Sequence, residues 1–138
     1  MRKTGGEIEL DVFNLLVNSG LKTALSGSVY SSGARPANST VEDAVVSFLT
    51  GLDGDIQTGI VNVNVYVPNV YSGTKDGATV KNTSRCREIE IVVNNIIQSN
   101  SMNGDYLFEL DKMIQTYEVV GLGQHFVNCR IKFRLSTY

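Results

Sequence analysis

Apolar and polar residues alternate most regularly at 59–67, where Val61, Val63, Val65 and Val67 are separated by Asn62, Asn64 and Tyr66. A period of two carried by β-branched residues predicts a half-buried strand. Its valines should face the core. Asn62 and Asn64 should point outward, so that replacing Asn64 changes stability little. Pro68 should end the ladder, because it has no N–H to donate. The same alternation returns near the C-terminus. There Val127, Cys129, Ile131, Phe133 and Leu135 alternate with Asn128, Arg130, Lys132 and Arg134, predicting one buried face and one basic face.

A different period opens the chain. Ile8, Val12, Leu15 and Leu16 form one helical stripe, with Asp11, Asn14 and Asn18 opposite. Residues 21–25 add a further turn. A short strand follows at 27–30, then a turn-rich stretch at 31–39. A strand at 42–50 carries Val45, Val46, Phe48 and Leu49, and a turn lies at 51–55. Residues 69–84 lack apolar periodicity and hold Gly73, Lys75, Gly77 and Lys81, which predicts a long loop. Residues 85–99 fit two templates. Ile89, Val92, Val93 and Ile96 make a helical stripe, whereas 88–91 alternate as in a strand. The helix is the better fit, leaving Ile91 on its polar side. Residues 106–120 read as a long mixed strand, broken or bulged near Asp111 and Lys112, before the turn at Gly121-Leu122-Gly123.

The order is αβββαββ. It predicts one α+β domain over residues 1–138, a mainly antiparallel sheet with two helices packed on one side. Such a chain is long enough to bury a core without a disulfide or metal. Cys86 and Cys129 are far apart and outside any CxxC pair. They suit a reducing compartment and small buried thiols. The formal net charge of −2 gives no reason to expect nucleic acid or a membrane surface. Residues 1–6 are too short and polar for a signal peptide, and the apolar runs fall below the ~20 residues of a membrane span.

Candidate chemistry is sparse. His125 is the one histidine and reads as a strand-edge residue. Asp53 and Asp55 flank Gly54, but the closing Glu of a calcium loop is missing. No nucleophile elbow or phosphate-binding glycine loop occurs. The expectation is a protein without catalytic residues, cofactor or metal. The basic stripe Arg130, Lys132 and Arg134 reads first as a solvated strand face, paired across the hairpin with Glu109, Asp111 or Glu118. Its sharper reading is a surface for an acidic partner. No aromatic platform interleaves these charges, as single-strand nucleic-acid binding would want.

The succession of elements carries a resemblance. An opening helix is followed by Gly27-Ser28-Val29-Tyr30 and an Arg35-Pro36 loop. Two strands then carry 43–48 and 61–68, and a helix and a final hairpin end in 126–133. Over nearly the whole chain this resembles the tail-completion, or tail-terminator, proteins of tailed bacteriophages and prophages. The resemblance implies a structural role in the virion tail and neck, after assembly in the host cytoplasm. A homo-oligomeric ring, commonly a hexamer, would cap the tail tube and join it to the neck of the head. Its partners would be other copies of the chain, the tail tube protein and head-neck connectors, with no membrane and no sequence-specific nucleic acid. The candidate interface residues are Asn62, Asn64, Lys75, Lys81, Arg130, Lys132 and Arg134. The residues 69–84 would form an arm that orders against a neighbouring subunit or projects from the ring. A head-closure or connector adaptor and a stand-alone bacterial protein-binding module are the alternatives.

Overall fold

The computed structural model describes residues 1–73 and 77–138. Helix α1 spans Gly5–Asn18. A capping box starts it: the Glu7 amide donates to the Thr4 hydroxyl, and the Thr4 amide donates to the Glu7 carboxylate. The short helix α2 (Leu21–Ala24) follows, then β1 (Val29–Ser31), β2 (Asp43–Leu52) and β3 (Ile56–Pro68). After β3 come β4 (Val70–Tyr71) and β5 (Thr79–Val80), and then α3 (Thr83–Ser99). The chain closes with β6 (Met102–Asn103), β7 (Tyr106–Leu110), β8 (Gln115–Val119) and β9 (Gln124–Ser136).

The α+β architecture is the expected one. Seven strands form one sheet in the order β1-β2-β3-β9-β7-β6, and β8 also pairs with β9. All pairings in it are antiparallel except β1 with β2. The strand predicted at 106–120 is interrupted, as foreseen near Asp111, so β7 and β8 pair with different halves of β9. The region 69–84 differs from the loop predicted from sequence. It contains a separate two-stranded pairing of β4 with β5, and it supplies the start of α3. Two-residue strands are too short to show periodicity, which is why the pattern missed them. Asn82 caps α3, its side-chain oxygen accepting the Arg85 amide.

The core lies between one sheet face and the helices. Val61, Val63, Val65, Val127, Cys129, Ile131 and Phe133 are buried with Ile8, Val12 and Leu16 of α1 and Ile89, Val93 and Ile97 of α3. Ile91 is exposed, as its place off the stripe implies. Three polar contacts tie the covering elements to the sheet. The Gln57 side chain accepts from the Lys3 amide and donates to the Lys3 carbonyl, both at 2.9 Å, as a neighbouring strand would. Glu9 of α1 accepts the Phe48 amide at 2.7 Å, just before a bulge in β2. Arg85 of α3 reaches both carboxylate oxygens of Glu42 at 2.7 and 2.8 Å. That bidentate grip holds the Glu42 carboxyl below the usual range, against the opposing effect of burial.

The bulge places Gly59 in close contact with its neighbours. A Cβ there would lie 2.2 Å from the Thr50 carbonyl oxygen and 2.9 Å from the Phe133 ring. Gly59→Ala should therefore destabilise by about 1–3 kcal/mol through overpacking. Phe133→Ala, at a ring only 1% exposed, should cost about 3–5 kcal/mol. Urea unfolding of both variants checks these values, and near-wild-type midpoints would show that the bulge and this core layer are looser than described.

Candidate interaction surface

Because side chains alternate along a strand, burying the valines of β3 turns Asn62 and Asn64 to the other sheet face. The β3–β9 register then sets Asn62 beside Arg130, Asn64 beside Asn128, Ile60 beside Lys132 and Thr58 beside Arg134. Five of the seven predicted interface residues thus share one face, which no helix covers. Lys81 does not join them: it is exposed at the foot of the β4–β5 hairpin, just before α3. Lys75 lies outside the described residues.

This face is more ordered than the predicted solvated stripe. Asn128 is buried, and its amide donates to the oxygens of both Asn62 and Asn64 at 2.8 Å. Asn62 and Asn64 are half-buried, in place of the freely solvated outward residues expected. Side-chain amides on adjacent strands satisfy one another, which keeps a polar cluster stable at the sheet centre. The cluster floors a shallow groove of about 340 Å³ with Tyr117, Phe126 and Arg130 on its walls.

Two of the predicted cross-strand ion pairs are present. Arg130 Nε lies 3.2 Å from Asp111, and Lys132 Nζ lies 3.7 Å from Glu109. The Arg130 Nε is itself buried, and its N–H is not aimed well enough at the carboxylate to form a hydrogen bond. Glu118 is not part of this set; it pairs in register with His125. His125 presents Nδ1 to the Asn69 side-chain oxygen at 2.8 Å, so the ring donates there. Aromatic residues do flank the charges, contrary to the linear reading. Tyr66 and Phe126 have centroids 5.9 Å apart, and Tyr117 stacks on Phe126 at 5.5 Å. They come from β3, β8 and β9, so sequence proximity could not reveal the cluster.

One end of the face is closed by the loop after β1. Arg35 stacks over the Tyr66 ring at 4.2 Å, donates to Asp43 at 2.9 Å and reaches Gln124 at 3.2 Å. Asp43 also accepts from the Ser39 hydroxyl and from the Ser28 amide at 2.9 Å. Burial alone would push its carboxyl up. The hydrogen bonds from Ser39, Ser28 and Arg35, with the Arg35 charge, outweigh burial and hold it low.

The two thiols are enclosed. Cys86 and Cys129 are buried free thiols, and burial pushes Cys129 up to about 12. A cleft of about 490 Å³ beside α1 contains Lys3, Asp11 and Tyr106. There the Tyr106 hydroxyl donates to Asp11 at 2.6 Å, and burial raises the phenol further than the carboxylate does. Among the described residues no His, Cys, Asp and Glu cluster has a metal-binding arrangement.

No protein-family model and no curated protein matches the chain. A solved protein structure whose name carries no functional meaning aligns with 96% of this chain and 96% of its own, at 16% identity and a TM-score of 0.52. At that identity the likeness shows a shared fold alone.

Two consequences can be measured. Asn128→Ala removes the donor shared by Asn62 and Asn64 and should cost about 1–3 kcal/mol in urea unfolding. Asp43 titrates below its unfolded value of about 3.9 when folded. Its stabilisation is therefore complete above that pH and is lost as pH falls through the native value. Asp43→Asn should destabilise by about 3–5 kcal/mol at pH 7, by leaving Arg35 without its carboxylate. The gap from wild type should narrow in acid, and a gap independent of pH would rule out this carboxylate as a source of acid sensitivity.

Proposed function

We propose that this chain is the structural subunit of a ring that terminates the tail tube of a tailed bacteriophage or prophage and joins it to the head. It works by surface geometry and self-association, without bond chemistry. The observation that carries this reading is the convergence of Asn62, Asn64, Arg130, Lys132 and Arg134 on one uncovered sheet face. An ordered polar floor on a broad sheet suits a rigid contact surface, because its side chains lose little further freedom on binding. The complete succession of elements, from the opening helix to the final hairpin, adds the family resemblance. The ring would act in the virion tail and neck after assembly in the host cytoplasm. Its partners would be its own copies, the tail tube protein and the connectors of the head.

The test is capping. Purified protein added to growing tail tubes should form rings, stop elongation and appear at tube ends in electron micrographs. The triple variant Arg130→Glu, Lys132→Glu, Arg134→Glu should fold, by circular dichroism, but cap at least tenfold less efficiently. Tubes that elongate unchanged with wild-type protein present would sink the proposal. So would rings that bind head connectors and ignore tubes, the behaviour of a head-closure adaptor.

A further inference from the structure

The open sheet face carries its aromatic side chains in a row. Phe126 is the register partner of both Tyr66 and Tyr117, so the three rings stand opposite one another on adjacent strands. Arg35 already covers the Tyr66 ring. Tyr117, which is exposed, and the half-buried Phe126 are the rings left to a ligand. The rows that follow along β3 and β9 hold Asn64 with Asn128, Asn62 with Arg130, Ile60 with Lys132 and Thr58 with Arg134. From Phe126 to Arg134 this face runs about 27 Å along β9.

The groove beside the rings offers mainly hydrogen-bond donors. The Oδ1 atoms of Asn62 and Asn64 are engaged by Asn128. Asn64 Nδ2 has no partner among the described residues, and Asn62 Nδ2 has only a 3.4 Å contact with Asn64. The Arg130 guanidinium lies beside Asp111 without a hydrogen bond among the described residues. Lys112 is exposed, with its ammonium 5.7 Å from the Tyr117 ring centre and 3.5 Å from the Tyr117 hydroxyl.

The local charge is positive although that of the chain is not. The carboxylates beside the rings and the basic stripe are Asp43, Glu109 and Asp111, and each is paired, with Arg35, Lys132 and Arg130 in turn. Lys112 and Arg134 have no carboxylate partner among the described residues. Glu118 follows Tyr117 on β8 and so alternates to the other side of the sheet. Asp53, Asp55 and Asp105 lie in turns at the far end, where Arg2 pairs with the first two.

Exposed rings, free donors and unpaired cations on one face call for a ligand with flat unpaired rings, many acceptors and negative charge. We propose that this face binds single-stranded nucleic acid. A base stacks on Tyr117 beside Phe126, and the amides of Asn62 and Asn64 meet the acceptors of a neighbouring base. Phosphates take Lys112 and Arg130 and follow the stripe toward Arg134. Every base has a face that stacks, so recognition is of the single strand and not of its sequence. A duplex buries those faces, and an acidic peptide would leave the rings unused. The inference does not depend on the ring reading above.

Fluorescence anisotropy with a labelled oligodeoxythymidylate of about twelve nucleotides tests it. The wild type should bind at low salt, and more weakly as salt rises. Tyr117→Ala should weaken binding about tenfold, and Tyr117→Phe, which keeps the ring, should bind nearly as wild type. Lys112→Ala should lower the slope of log K against log salt by about 0.7. Arg87→Ala, at an exposed cation of α3 on the other side of the sheet, should change nothing. The substituted positions are exposed, so circular dichroism should show all four variants folded. No binding up to ~100 µM protein, a Tyr117→Ala variant as tight as wild type, or equal binding of duplex would each overturn the inference. So would equal binding of an oligoglutamate, which would make the partner an acidic peptide. Strand binding without tube capping would leave it standing and remove the tail-tube reading; capping without strand binding would do the reverse.

Discussion

β3 and β9 meet over their full length, from Ile56 against Ser136 to Pro68 against Gln124. These partners are separated by 56 to 80 positions in sequence, so the pairing pays a large loop-closure cost before it is rewarded. Once made, it places the other strands of the seven-stranded sheet. β2 lies along one edge of the pair, and β7 and β8 divide the other edge between them. It also fixes which side chains face the helices, since slipping the register by one residue would send Val61, Val63 and Val65 into water and the asparagines into the core.

From that register comes an unequal pair of sheet faces. One is apolar at its centre and takes the stripes of α1 and α3, with Gln57 as a polar tie near one end. The other collects Asn62, Asn64, Asn128 and the basic residues of β9, with Tyr66, Tyr117 and Phe126 around them. Polar atoms at the centre of a broad sheet are partly shielded even without a helix above them, so they must satisfy one another. Asn128 does this for two neighbours at once. Lys132 and Glu109 are better exposed and tolerate a longer, weaker ion pair.

The irregular segments are anchored by charge where apolar contacts are few. Arg35 fastens the loop after β1 to Asp43, Tyr66 and Gln124, and Arg85 fastens the start of α3 to Glu42. Each arginine makes several contacts from one planar group, so a single ordered side chain fixes a whole segment. Both carboxylates are held low by these partners. Protonating either carboxylate in acid weakens its tie, Asp43 to the loop that closes the open face and Glu42 to the start of α3.

Much of the architecture was legible in the chain itself. Alternation at 61–67 and 127–135 marked the two central strands and their buried sides, and the 3.6-residue stripe of Ile8, Val12 and Leu16 marked α1. Even the break near Asp111 and the misfit of Ile91 could be read, because local periodicity reflects burial directly. The β4–β5 hairpin could not be read, since two-residue strands have no period, and neither could the parallel placing of β1 beside β2. The candidate surface was half visible. Its basic stripe and asparagines were apparent strand by strand, but the bonds of Asn128 to Asn62 and Asn64, the aromatic neighbours and the seat of Arg35 join residues up to 89 positions apart. Sequence determined which way each side chain points along its own strand. Only the tertiary structure decided which strands lie side by side, because strand pairing depends on long-range register and leaves no local trace.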